Sequence, residues 1–363
     1  MALFRESAGL VGIATGGEST YGTPDTITHV LYCDSAAYAM EPQLFDYGSV
    51  ATGYEESIGN VITRMMTRIN LTGPLCDKSA PILLSLALGG DTKSTVDTSA
   101  TQHLITPVGA TTELPSTTIQ INTGSPSDTT HGAKFAGCVL DSLTISAQNN
   151  GTWTYNASFV TEGIDSGSLA DLSAMTAPTV LPFLWGKTFV KWRHTLETGA
   201  PSFDAPNSSA DPTGGWTTPV NISAGVTSYS YTINNGARLF STTASDGSTT
   251  KAVRTKRSQT LTLGLMFDST TLATAGIQLV DFGGKTGGQA KQISLLMQNL
   301  QPVFAGSTYY HSLTQYFNKL SLQSVTPPVG NPREFSTTWG VNATATTESS
   351  YHYCVNADNV DYC

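Results

Sequence analysis

Residues 140–160 read LDSLTISAQNNGTWTYNASFV, and the way this stretch folds back on itself decides the class of the whole chain. Leu143, Ile145 and Ala147 alternate with polar residues, as do Trp153, Tyr155 and Ala157. That period of two marks strands with one buried face. A two-residue turn at Asn150-Gly151 would pair Gln148 with Trp153 and Ser146 with Tyr155, setting apolar side chains against polar ones. A three-residue loop, Asn149 to Gly151 with Gly151 left-handed, pairs Ala147 with Trp153, Ile145 with Tyr155 and Leu143 with Ala157. A slip of one residue moves every side chain to the other face, so the apolar pattern selects the three-residue loop.

The composition extends this reading to the rest of the 363 residues. Charged residues make up 12%, about half the ~25% usual in soluble proteins. Thr, Ser, Asn and Gly take their place, which favours strands and turns over helices. The net charge of −9 argues against a protein that grips nucleic acid through its phosphates. The opening MALFRESAGLVGIATGG lacks the apolar core of a signal peptide. No stretch approaches the roughly eighteen consecutive apolar residues of a membrane helix, so we expect no membrane span and synthesis in the cytoplasm. Five scattered cysteines, an odd number, predict free thiols rather than a disulfide framework.

Along the chain, residues 1–27 read as a Gly- and Thr-rich arm and 28–165 as a first β domain. Within that domain Pro81 to Leu88 is apolar except for Ser85 and ends on Gly89-Gly90, which predicts a short helix with a glycine stop. Residues 91–130 read as a Thr-rich loop, 166–179 as a linker, and 180–345 as a second β domain with a Pro/Gly/Asp-rich insertion at 196–220. Residues 346–363 read as an acidic, solvated tail. The halves resemble each other: Gly89-Gly90 matches Gly283-Gly284 at an offset of 194, and Leu143 matches Leu320 at an offset of 177. The order strand, helix, strand, hairpin is thereby used twice.

Catalytic patterns are missing from the sequence. GIATGGES, Gly12 to Ser19, has phosphate-loop spacing but places Glu18 where a lysine must be, and a carboxylate there repels phosphate. GGKT, Gly283 to Thr286, has Leu279 where the first glycine belongs. No G-x-S-x-G, H-E-x-x-H or C-x-x-C occurs. The spacing of His352, Cys354 and Cys363 matches no zinc pattern. We therefore expect no enzyme, no metal and no cofactor. Basic residues cluster at KAVRTKR, Lys251 to Arg257, as a charged strand edge or a partner-binding patch.

The segments GIATGGESTYGTPDT, MEPQLFDYGSV, TRINLTGPL, HGAKFAGCVLDSLTIS and GARLFSTTASDGSTTKAVRTKRSQTLTLGLMFD, in that order, resemble the major tail tube protein of long, non-contractile-tailed bacteriophages. The resemblance implies a mainly β fold of tandem tail-tube-like sandwich or barrel domains, each flanked by a short helix. It also implies self-assembly into stacked rings forming a virion tail tube, through which double-stranded DNA passes without specific binding, and contact with the tape-measure and other tail proteins. The 196–220 insertion and the cysteine-containing tail depart from that pattern. Two units per chain would let three copies close a pseudo-sixfold ring, with a hexamer as the second arrangement. On this reading Arg254, Lys256, Arg257, Tyr21 and Tyr54 are the candidates for a subunit or ring junction. The competing readings are a cell-surface β-sandwich adhesin or carbohydrate-binding module, and a polysaccharide-active enzyme. For the enzyme, only Glu55-Glu56 and Asp358/Asp361 offer paired carboxylates.

Overall fold

The computed structural model describes residues 9–46, 60–149, 151–163, 167–176, 181–193, 220–241, 249–266, 291–326, 334–343 and 348–362. The first half runs β1 (Gly9–Ile13), β2 (His29–Cys33), β3 (Ser35–Asp46), β4 (Asn60–Pro74), α1 (Ser79–Leu88), β5 (Gly89–Asp97), β6 (Ala100–Pro107), β7 (Thr117–Asn122), β8 (Gly132–Gln148) and β9 (Thr154–Thr161). The second runs β10 (Thr188–Arg193), β11 (Val220–Asn221), β12 (Val226–Asn234), β13 (Ala237–Ser241), β14 (Thr249–Arg254), β15 (Ser258–Met266), β16 (Lys291–Pro302), β17 (Tyr310–Thr326), β18 (Glu334–Val341) and β19 (Ser350–Asn356). The fold is mainly β, and every pairing between these strands is antiparallel.

The β8–β9 hairpin has the register that its apolar pattern selects, with Ile145 opposite Tyr155 and Leu143 opposite Ala157. The Gly151 N–H closes the loop on the Gln148 carbonyl at 2.9 Å, but Gly151 does not take the left-handed conformation expected of it. Leu143, Ile145, Trp153, Tyr155 and Ala157 are all buried. They belong to one apolar cluster that draws on both halves of the chain, from Val11 to Val341.

Helix α1 is buried on every side, as an apolar helix without a polar stripe must be. Pro81 falls in its first turn, where a missing N–H costs nothing. Gly89 ends it at φ 92°, donating its N–H to the Ser85 carbonyl, a left-handed cap that favours glycine.

The pairings trace a repeated sheet. In the first half β3, β4, β9 and β8 lie side by side, and in the second β12, β15, β18 and β17 do the same. Crossing each in register gives Tyr38–Ile69–Phe159–Leu140 and Tyr231–Leu261–Trp339–Leu322. A bulge follows Leu140 at Asp141, and another follows Leu322 at Gln323. Further along, Thr117↔Cys138 and Ile119↔Phe135 in the β7–β8 pair match Lys291↔Leu320 and Ile293↔Phe317 in the β16–β17 pair. The structural offset along β8 and β17 is thus 182 residues, not the 177 read from the sequence. Alternating strands look alike when slid by a few residues, and only the bulges fix the frame.

Several sequence expectations are corrected. The arm is not a bare arm: β1 pairs with β2 and β7, and Val11, Ile13 and Ile27 are buried. Gly12 is held by close packing, since a Cβ there would lie 2.6 Å from Leu172 Cδ2 and 2.8 Å from Ile27 Cγ2. The Thr-rich segment 91–130 contains most of β5, all of β6 and β7, because threonine is a strand former. The solvated tail is instead β19, buried throughout and lying between β17 and β6. The linker carries buried Leu172, packed against Ile27 and Val30. The second-half segment matched to α1, residues 273–284 ending on Gly283-Gly284, and the insertion up to residue 219 lie outside the described residues.

Candidate assembly interface

Chemistry at a site would need converging reactive groups. Among the described residues no cluster of His, Cys, Asp and Glu has the makings of a metal site. His352 lies in the core, hydrogen-bonded to Gln315 Nε2 at 3.2 Å and stacked on Tyr231 at 5.5 Å, and burial pulls its imidazole down to about 3. Cys354 is buried, and burial pushes its thiol well up. Cys363 lies outside the described residues. Glu18, the residue that spoils the phosphate loop, organises the arm. Its carboxylate accepts from the N–H groups of Gly22 and Gly137 and from the hydroxyls of Ser116 and Thr118, at 2.8–3.1 Å.

The predicted junction residues fall into three environments. Arg254 donates to the carbonyls of Val108, Gly109 and Thr112 at 3.4, 2.6 and 3.3 Å. Arg257 donates to Asn235 Oδ1 at 3.1 Å, to the Val108 carbonyl at 3.3 Å and to the Leu88 carbonyl at 2.9 Å. Leu88 is the last residue of α1, so Arg257 sits where a helix dipole favours a cation. Burial, reinforced by the neighbouring Arg254 charge, lowers its guanidinium to about 10. Both arginines therefore clamp main-chain carbonyls of their own chain. Lys256 is exposed. Tyr21 packs inside, beside Gly137, where a Cβ would come within 3.0 Å of its ring; φ is +64° there, so glycine is required twice over. Burial raises the Tyr21 phenol. Tyr54 lies outside the described residues.

A buried polar cluster that fastens residues 358–362 carries no signal in the sequence. His29 Nε2 lies 3.2 Å from Asp358, Lys78 Nζ 3.4 Å from Asp358, His103 Nδ1 3.3 Å from Asp91 and His311 Nδ1 3.1 Å from Asp77. Tyr362 donates its hydroxyl to Asp358 at 3.1 Å and its N–H to Asp91 at 3.1 Å. No spacing rule finds pairs separated by up to 329 positions.

What remains open is the sheet itself. The eight strands β3-β4-β9-β8-β12-β15-β18-β17 form one continuous surface, because β8 pairs with β12 across the junction of the halves. At one end β3 pairs only with β4 among the described residues. At the other, residues 321–326 of β17 pair only with β18 among the described residues. These two edges, at opposite ends of one sheet, do not pair with each other among the described residues, and such edges suit a neighbour.

Around the junction of the halves the face of this sheet away from the apolar cluster carries hydroxyls, whereas further into the first half it carries the Arg68–Asp141 ion pair and the apolar pair Val139 and Val160. Thr144 and Thr232 meet across the halves at 3.0 Å, and Ser146 with Thr154 and Thr262 with Thr338 at 3.4 and 3.5 Å. Over β12, β15 and residues 142–148 of β8 the sequence holds no charged residue at all. Comparison of the chain with protein-family models and with curated proteins gives no match.

Proposed function

We propose that this chain is a structural protein that assembles edge to edge into closed rings, which stack into a hollow tube. The phage tail tube that its sequence resembles, a conduit for genome ejection, is the assembly we assign to it. The observation that carries this reading is the doubled four-strand unit with, among the described residues, an unpaired edge at each end. A heterologous contact of that kind closes into a ring when the rotation permits, and it removes both edges from solvent.

Three copies, each contributing eight strands, give a barrel of about 24 strands with pseudo-sixfold symmetry. With strands ~4.8 Å apart and tilted by about 35–45°, its backbone diameter is about 45–52 Å. Side chains narrow that lumen by about 10 Å, which leaves room for a DNA duplex. Over β12, β15 and residues 142–148 of β8 the wall carries hydroxyls and no charged residue, which suits passage, because that stretch gives phosphates no cations to displace their counterions. The test is negative-stain imaging of the purified protein, with light scattering across concentration and salt. Rings or tubes are the expected result. A monomer under all conditions rejects the proposal.

A further inference from the structure

The contact between the two halves is a template for the contact between copies. Past the bulge at Asp141, β8 is flanked by β9 on one side and by β12 on the other, with Ser142 opposite Asn234, Leu143 opposite Ile233 and Thr144 opposite Thr232. The stretch of β17 past the matching bulge begins at Ser324. It has β18 on one side, as β8 has β9, and no described partner on the other. The strand that corresponds to β12 is β3, with Tyr38 in the place of Tyr231.

Exposure supports the same correspondence. Ile233 and Tyr231, at the internal contact, are 0% exposed, whereas their counterparts Met40 and Tyr38 are 48% and 39% exposed. These are two of the few large apolar side chains left in solvent. The edge is also oriented for pairing. Pro42 has no N–H, so its place in the β3–β4 ladder faces away from β4. By the period of two, Ala36, Tyr38 and Met40 aim their amides outward as well.

We infer that, in the ring assembly proposed above and resting on it, residues 324–326 of β17 pair antiparallel with residues 39–41 of β3 in the next copy. Ser324 then faces Glu41, Val325 faces Met40, and Thr326 faces Ala39. Val325 and Met40 take the places of Leu143 and Ile233, so an apolar pair is buried where the internal contact buries one. On the opposite face Ser324 and Thr326 lie where Ser142 and Thr144 lie in the internal contact, beside Glu41 and Ala39 of the neighbour.

The test introduces Met40→Cys together with Val325→Cys and oxidises the assembled protein mildly. Directly opposed residues hold their Cβ atoms about 4.5–5.5 Å apart, close enough to link with small movement. The expected result is a chain-to-chain disulfide on non-reducing gels, formed in assemblies and not in dilute monomer. Met40→Cys with Ser324→Cys, shifted by one residue and so pointing to opposite faces, should not link. A second measurement uses the unaltered protein. Hydrogen exchange at the Met40 amide, the one within residues 39–41 that aims outward, should slow on assembly towards the rate seen at residues 228–234 of the internal contact. Tubes or rings that form while this amide exchanges as in the monomer, or that link at the shifted pair instead, overturn the register and leave the tube reading standing. Failure of the unaltered protein to assemble at all overturns both.

Discussion

Replacing Arg257 separates two roles for the basic cluster, a seam between subunits and an internal clamp. Arg257→Met keeps most of the aliphatic stem and removes three hydrogen bonds from a charged donor, to Asn235, Val108 and Leu88. The Leu88 carbonyl keeps the Val108 N–H at 2.8 Å, and the Val108 carbonyl keeps a weak bond from Arg254 at 3.4 Å. Asn235 Oδ1 loses the donor named for it, in a residue that is 0% exposed. An orphaned buried acceptor costs about 1–3 kcal/mol, and a cation at a partly buried helix C-terminus contributes up to about 2 kcal/mol. Burial already disfavours the charge, lowering the guanidinium to about 10, and removing the charge recovers part of that cost. The net expectation is a loss of about 2 kcal/mol for Arg257→Met. Arg257→Glu should lose more, about 4 kcal/mol, because it sets a carboxylate among carbonyl oxygens at the negative end of α1. The assay is urea unfolding of dilute, unassembled protein, read as a fall in midpoint at constant slope. If Arg257→Glu leaves the midpoint unchanged while blocking assembly, the clamp is wrong and the cluster faces a neighbour.

Three further outcomes follow from other parts of the molecule. Gly73→Ala should cost about 3 kcal/mol by overpacking, since its Cβ would press on the Tyr32 carbonyl and lie 3.1 Å from Tyr155 Oη; Gly109→Ala, with nothing within 4 Å, should be near neutral, and equal urea midpoints for the two would refute the packing account. Asp358 is pushed up by burial, but the His29 hydrogen bond and the Lys78 charge bring it to about 2, and burial holds His352 at about 3. Both folded values are depressed, so stability is full above pH ~6.5 and falls with acid by about 1.4 kcal/mol per unit for each titrating group, His352 acting first and Asp358 below pH ~4; a flat urea midpoint from pH 6.5 to 3 would contradict this. Ser230→Lys with Thr262→Lys should make assembled tubes retain duplex DNA, with retention lost steeply between about 50 and 200 mM salt; retention of DNA by the unaltered protein, or none by the variant, would reject the neutral-wall reading.

The sequence made some of this legible and hid the rest for physical reasons. The β8–β9 register was readable because one slip exposes every apolar residue, and α1 because an apolar run with a glycine stop has few other folds. The repeat was readable only in outline. Its frame rests on bulges at Asp141 and Gln323, and a bulge is set by tertiary pairing rather than by residue type. β19 looked like tail because Ser350, His352 and Asn356 are polar, yet all three are buried with partners. Polar strands paired on both sides are invisible to hydropathy. The arginines of KAVRTKR were conspicuous, but charge alone does not say whether a guanidinium meets a neighbour or its own chain's carbonyls. The open edges could not be read from the sequence at all, since an edge is defined by what is not beside it.

In the proposed ring an edge that binds its own kind also risks binding anything extended, and the two ends of this sheet would limit that risk differently. On β3, Glu41 and Pro42 close the pairing register after about seven residues, because proline offers no amide and a buried charge opposes indiscriminate pairing. After β17 the sequence continues with Pro327 and Pro328, which donate nothing to a further ladder. The matching stretch of β8 has Ile145 and Ser146 there instead, fully paired with Tyr231 and Ser230. The internal contact can be longer because it is tethered and forms once, as the chain folds. A contact between copies must stay weak enough to correct until the ring closes. On closure, each copy is held at both edges at once, and the effective concentration of the second contact replaces the missing length. A chain that carries two units makes half of a ring's six junctions covalently tethered, leaving only three to be found by collision.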